Sequence, residues 1–151
     1  MLKNFTVCTA ESCTGGNIAH QITLVSGSSS YYVGSVVSYA NEVKINTLGV
    51  PAEYIEKYGA VSQQTVEAMA TGVRRLMDTD YSIATSGIAG PGGGSAEKPV
   101  GTVWMAVSDK ENVYSQLCNF SGTRAEVIAQ ATEAAFELFR EKFGFPLAHG
   151  E

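Results

Sequence analysis

Ser86-Gly-Ile-Ala-Gly-Pro-Gly-Gly-Gly-Ser95, set between the apolar runs 81–84 and 100–107, is the stretch from which the fold of this chain is read. The first run reads as a buried strand, and the second has strand-like alternation. The connection between them carries five glycines and one proline in the eight residues 87–94. Glycine adopts positive φ without strain and lets backbone come close to a bound group. Pro91 removes one amide donor and stiffens the turn. The remaining amides are able to converge on an anion. A flexible surface loop is the plain alternative. Because this glycine run leads into a strand and not a helix, a dinucleotide-binding strand–turn–helix unit is excluded.

Working outward, residues 4–9 read as a strand that runs into the turn Ala10-Glu-Ser-Cys-Thr-Gly-Gly16. Ile18, Ala19, Ile22 and Val25 then recur at helical spacing. Strand, tight turn and helix in succession place free helix N–H groups at a strand's carboxyl end. A second polar turn, Ser26-Gly-Ser-Ser-Ser30, leads into a Val- and Tyr-rich strand over 31–39. A short helix is expected over 41–48, with Asn41 as N-cap and Gly49 closing it. Another begins with Pro51 as its first helical residue and runs to about residue 58. Ser62 precedes a long amphipathic helix whose buried stripe is Val66, Met69, Val73 and Leu76. Downstream, runs 100–107 and 112–120, joined at Asp109-Lys-Glu111, read as an antiparallel hairpin. Thr123 opens a last helix that turns Val127, Ile128, Ala131, Ala135, Leu138 and Phe139 inward and ends at Gly144 and Pro146. The expected fold is α/β, a three-layer α/β/α sandwich around a mixed, mostly parallel sheet. Its length of 151 residues fits a single domain over 1–151.

Composition narrows the function classes. Apolar residues make up 44% and charged residues 17%, which is globular and not disordered. A net charge of −5 argues against a general nucleic-acid or membrane-surface binder. No run approaches the roughly 18 apolar residues of a membrane span, and no secretory signal opens the sequence. Cys8, Cys13 and Cys118 lack metal-ligand spacing and read as free thiols in a reducing cytoplasm, with no metal expected. Of the two histidines, His20 lies mid-helix and His149 in a tail expected to fray. Neither is placed to activate a serine, so a Ser-His-Asp triad is not expected. A serine nucleophile then needs another base, and Lys44 is the candidate, since a lysine desolvated in a pocket loses proton affinity.

Ligands in open α/β sheets sit outside the carboxyl ends of the strands. Four polar clusters are expected at such a rim, residues 11–16, 26–30, 39–44 and 86–94, joined by Arg124 as a fixed cation. Each residue alone has a structural reading. Ser12 and Thr14 suit helix capping, Tyr39 a core aromatic at a strand end, Lys44 a solvated cation, and Arg124 a partner for Glu126. Glu11 reads either as an orienting carboxylate or as a surface one. Their joint placement at strand ends is the argument for a site.

Taken together the clusters form an ordered set. Ala10-Glu-Ser-Cys-Thr-Gly-Gly16, Gly27-Ser-Ser29, Tyr39-x-Asn-Glu-x-Lys44, Leu48-Gly-Val50 and Gly59-Ala-Val-Ser62 are followed by Gly87-Ile-Ala-Gly-Pro-Gly-Gly-Gly-Ser95, Lys98-Pro-Val-Gly-Thr-Val103 and Phe120-Ser-Gly-x-Arg124. This set resembles the CinA C-terminal domain family (competence/damage-inducible protein A), whose members include nicotinamide-nucleotide amidohydrolases. The resemblance covers residues 5–143. It implies hydrolysis of nicotinamide mononucleotide to nicotinic acid mononucleotide and ammonia by a serine–lysine arrangement, without a metal or organic cofactor. Matched onto this chain, Ser29 is the expected nucleophile, Lys44 the base and Tyr39 its helper, with Ser12 a pocket residue and the fallback nucleophile. Ser86 and Arg124 match positions of the ligand site. Glu11, Thr14, Gly15, Ser28, Asn41, Gly87, Gly90, Gly92 and Gly93 complete the expected substrate-binding set. The chain departs from the family in carrying Ser86 where threonine is usual, and in starting almost at its first strand where a helix usually precedes it. Apolar surface left open there is expected to be covered by a partner subunit, giving a homo-oligomer, a dimer or higher. The expected partner is a small nucleotide, with neither nucleic acid nor membrane. The alternative function is a non-catalytic nucleotide-binding or regulatory domain of the same fold.

Overall fold

The computed structural model describes residues 4–150. Its strands are β1 (Val7–Glu11), β2 (Tyr32–Val37), β3 (Tyr81–Gly87), β4 (Thr102–Ser108) and β5 (Val113–Asn119). Its helices are α1 (Asn17–Thr23), α2 (Asn41–Asn46), α3 (Ala52–Tyr58), α4 (Gln63–Met77) and α5 (Arg124–Phe143). Period-two alternation sorts the strand side chains into two cores. Val7, Ile83, Val103, Met105 and Val107 face α1 and α5, meeting Ile18, Ile22, Val127, Ala131 and Phe139. Cys8, Ala10, Ala84 and Ala106 face the other way, onto Val66, Met69, Ala70 and Val73 of α4 and Leu48 and Val50 of the α2–α3 connection. Helices therefore cover both faces of the sheet, as the sequence leads one to expect.

The strand order is β2-β1-β3-β4-β5. β2 and β3 both pair with β1 in parallel, while β4 is antiparallel to β3 and β5 antiparallel to β4. The sheet is mixed, and only β4 runs against the rest. From β1 the chain passes through α1 to β2 on one side. It then returns across β1 through α2, α3 and α4 to β3 on the other. The order thus reverses between β1 and β3, and such a switch point opens a crevice at the strands' carboxyl ends.

Most expected boundaries stand within two residues. Ser62 caps α4, its hydroxyl accepting from the Thr65 amide at 3.2 Å. Thr123 and Glu126 form a capping box at the start of α5, and Gly144 ends that helix at φ 79°. Asp109 turns the β4–β5 hairpin, its carboxylate accepting from the Glu111 and Asn112 amides. Four details differ. Asn41 is the first residue of α2 and not its cap, a place taken by Ala40 with no side-chain bond. Pro51 stands just before α3. Leu76 is 54% exposed; the stripe of α4 steps by four after Val73, so that Met77 turns inward beside Gly34. His149 is not frayed. Leu147 is buried, the His149 ring stacks on Phe136 at 3.8 Å, and the Gly150 amide donates to the Gln21 carbonyl at 2.9 Å. The chain after α5 thereby crosses the groove between α5 and α1.

Candidate active site

β1 ends at Glu11, and the next amide, that of Ser12, donates to the Thr85 carbonyl of β3 at 3.0 Å. This bond fastens the turn 12–16 to the switch point. The Glu11 carboxylate is fully buried on the α1 side. It accepts from the Ile18 and Ala19 amides at 2.9 Å each and from the Thr14 hydroxyl at 2.7 Å. The residue at the N-cap of α1 is Gly16, which has no side chain to offer. Glu11 therefore satisfies the orphan amides of the first turn from the strand before it. Thr14 also bonds the Thr85 hydroxyl at 2.8 Å. Glu11, Thr14 and Gly15, expected among the substrate-binding residues, do not line the cavity; they hold the turn. Ser12, released from capping, presents its hydroxyl elsewhere.

That hydroxyl meets Lys44. The lysine, on α2, is 1% exposed, which overturns the solvated-cation reading. Its Nζ lies 3.0 Å from Ser12 Oγ, 2.7 Å from the Ser38 carbonyl and 3.3 Å from the Tyr39 carbonyl. Burial holds the ammonium below the ordinary lysine range, and the neighbouring Cys13 thiol acts weakly in the other direction. Both carbonyls are acceptors only. When the amine is neutral they engage its two N–H groups, leaving the nitrogen lone pair for the Ser12 hydroxyl. Cys13 is no rival nucleophile: burial pushes its thiol up to about 12, so it stays protonated at neutral pH.

A cavity of about 270 Å³ opens over this pair. Ser12, Cys13, Lys44, Ser86 and Ala89 form its buried floor, while Tyr39, Asn41, Gly92, Gly93 and Arg124 form its exposed rim. Ser86 donates to the Ala60 carbonyl at 2.8 Å, tying the end of β3 to the turn before α4. Gly87 is needed here because a Cβ would run into the Thr102 carbonyl and Val103, and Gly90, at φ 86°, would meet Val100. Arg124 spans the mouth, donating from Nη1 to the Gly90 carbonyl at 2.6 Å and from Nη2 to the Tyr39 phenol at 2.9 Å. It does not pair with Glu126, whose carboxylate closes the capping box. Tyr39 is 62% exposed, so it is no core aromatic, and what it gives Lys44 is its carbonyl rather than its phenol.

Three of the four expected clusters meet at this rim, with Arg124. The fourth does not. Ser28–Ser30 is a 3-10 turn leading into β2. Because β2 runs parallel to β1, that turn lies at the sheet's amino rim, a strand length of roughly 20 Å from the site. Ser29 is exposed, and neither it nor Ser28 lines the cavity. The expected Ser29–Lys44 pairing is corrected: Ser12 stands at the lysine. Cys13, Ala60, Val61, Ile88 and Ala89 also line the cavity without having been singled out. For Ala60 and Val61 the signal was the motif Gly59-Ala-Val-Ser62, to which no role was attached.

Among the described residues no group of three or more His, Cys, Asp or Glu is placed to hold a metal. No helix among them is long and apolar enough to cross a membrane.

Known proteins resemble the chain closely. Residues 1–143 match the model of the CinA C-terminal domain. A CinA-like protein of Cytophaga hutchinsonii is 47% identical over 140 residues, 93% of this chain and 34% of that protein. One of Endomicrobium trichonymphae is 50% identical over 137 residues, 91% of this chain and 32% of that protein. The chain thus spans about a third of the length of the curated relatives it matches. The crystal structure of competence damage-inducible protein A (ComA) from Klebsiella pneumoniae superposes with a TM-score of 0.90 at 36% identity, covering 93% of this chain and 88% of that one. Competence/damage inducible protein CihA from Agrobacterium tumefaciens gives 0.89 at 40% identity, covering 91% and 85%.

Proposed function

The chain belongs to the CinA C-terminal domain family, and from that premise we propose that it is an amidohydrolase that deamidates nicotinamide mononucleotide to nicotinic acid mononucleotide and ammonia. Family membership is compatible with such an activity, and one observation supports it most: a buried lysine amine 3.0 Å from a serine hydroxyl at the floor of a cavity. Ser12 Oγ attacks the carboxamide carbon, and its proton passes to the neutral Lys44 amine. Collapse of the tetrahedral intermediate returns that proton to the leaving nitrogen, which departs as ammonia and leaves an acyl ester on Ser12. Water then attacks the ester, Lys44 takes its proton, and the proton returns to Ser12 as the acid is released. The Cys13 amide, next in sequence to the nucleophile and bonded to no backbone carbonyl among the described residues, is the candidate donor to the oxyanion. Losing such a donor typically lowers the rate by about 10²–10³. Arg124, with three of its five N–H groups uncommitted, suits a phosphate at the mouth.

Release of ammonia from nicotinamide mononucleotide is the direct assay. Ser12→Ala and Lys44→Met should each abolish it, and Ser29→Ala should leave it unchanged. A silent Ser29→Ala enzyme beside an active Ser12→Ala enzyme would reverse the assignment. Tight nucleotide binding with no ammonia released would favour the non-catalytic reading. The proposal places the chain in the cytoplasm as a homo-oligomer, with half-exposed Leu24, Val33 and Val37 as candidates for covered surface; sedimentation equilibrium tests the oligomer.

A further inference from the structure

The cavity is charged in one sense only. Lys44 lies at its floor and Arg124 at its mouth, and no aspartate or glutamate among the described residues lines it. The groups facing the lysine nitrogen are the Ser12 hydroxyl after β1, the Ser38 and Tyr39 carbonyls before α2, and the Cys13 thiol. Asn41 and Ser86 are neutral, and the Tyr39 phenol is engaged with Arg124. Of the acids next to these residues in sequence, Glu11 is spent on the α1 amides, and Glu42, two positions before Lys44 on α2, is exposed and does not line the cavity. Among the described residues a protonated Lys44 is therefore buried without a counter-ion. Such a charge is unfavourable until an anion reaches it. Cleaving a carboxamide at this spot makes that anion. The acid released from Ser12 transfers its proton to the adjacent neutral amine, so carboxylate and lysine ammonium are left in contact, the ammonia having departed when the acyl ester formed.

Resting on the amidohydrolase reading, we propose that the site holds its carboxylate product more tightly than its carboxamide substrate, so that accumulated product restrains turnover, and that this restraint weakens as pH rises. Substrate and product share ring, ribose and phosphate. Contributions from Arg124 and the rim cancel between them, and the difference falls on the group beside Lys44. On the acid side the amine is charged and the pairing is complete. As pH rises through the amine's lowered pKa the charge goes, and the advantage of the product goes with it. The product's carboxylate stays ionised throughout, since such groups titrate near pH 4 or below.

Ser12→Ala keeps the amine and blocks turnover, so it allows both ligands to be titrated. Calorimetry on this variant would use nicotinamide and nicotinic acid mononucleotides, then free nicotinamide and nicotinate. At about pH 6 the acid of each pair should bind at least about tenfold more tightly than its amide, a ratio that falls toward one as pH rises through the amine's lowered pKa. Adding Lys44→Met, in a double variant whose thermal melt shows it folded, should erase the preference. Equal affinities on the acid side would overturn the inference, as would a preference that survives Lys44→Met. Ammonia release by the wild type without any carboxylate preference sinks this inference and spares the amidohydrolase reading. A Lys44-dependent preference without ammonia release does the opposite. Binding of none of these ligands would overturn both.

Discussion

Replacing Lys44 by methionine removes an amine that burial holds below its ordinary range and leaves a side chain of similar length among the same neighbours. Two pH effects follow from that shift. The neutral amine is the proposed base, so wild-type turnover should rise with pH through the lowered pKa and then level off. Folding is linked with the same sign. The unfolded lysine titrates near 10.5 and the folded one lower, so between the two values the unfolded state binds more protons. Wild-type stability therefore gains a contribution as pH rises across that window, and Lys44→Met should lack it; urea midpoints measured across the alkaline range would show a shallower slope in the variant. An identical slope would mean that the lysine is not perturbed. Arg124 is proposed to act on a different part of the ligand. Arg124→Ala should raise KM for the nucleotide with kcat little changed, and should barely affect a phosphate-free nucleoside. Equal effects on both would remove the phosphate role.

α1 shows how one element can hold the proposed nucleophile in place without lining the cavity. Its first turn has a glycine at the cap, and the Glu11 carboxylate supplies the missing acceptor from the preceding strand. Glu11→Gln keeps the shape but turns an NH₂ group toward an amide that needs an acceptor. Leaving buried donors unsatisfied costs about 1–3 kcal/mol, so urea unfolding should report a loss of that order. Because the same turn carries Ser12, kcat should fall more than KM changes. A stability loss with kcat intact would show that α1 and the Ser12 turn are mechanically separate. α5 bears on the same site from the other side. Its capping box fixes the helix start, and Arg124 is the first residue after the cap.

At the scale of the whole molecule, strand order decides which loops meet. Connections that leave parallel strands lie at one rim, and connections that enter them lie at the other. Turn 12–16 leaves β1 and reaches the site, whereas Ser28–Ser30 enters β2 and cannot. The chain after α5 closes the opposite end of the layer between α1 and α5. Leu147 is 2% exposed there, and none of residues 145–150 lines the cavity. Leu147→Ala should lower stability by about 2–5 kcal/mol, as buried leucine truncations do, while activity per folded molecule is retained. Lost activity in a fully folded variant would mean that this segment supports the site.

The apolar run 81–84, the alternation in 100–107, the stripe of α4 as far as Val73, the stripe of α5, the caps at Ser62 and Thr123 and the Asp109 hairpin were all legible in the sequence. Each depends on residues within a few positions of one another, where propensity and hydrogen bonding act directly. Lys44 as the candidate base could be argued too, by elimination of the two histidines, and its burial beside a serine hydroxyl agrees with that proposal. Which serine it meets was not legible. Ser12 and Lys44 are separated by 32 positions, and only the parallel pairing of β1 with β2 brings them together while carrying Ser29 to the far rim. The burial of Glu11, the inward turn of Met77 and the docking of His149 on Phe136 were likewise decided by packing. Each answers to a surface assembled from distant parts of the chain, which no local pattern encodes.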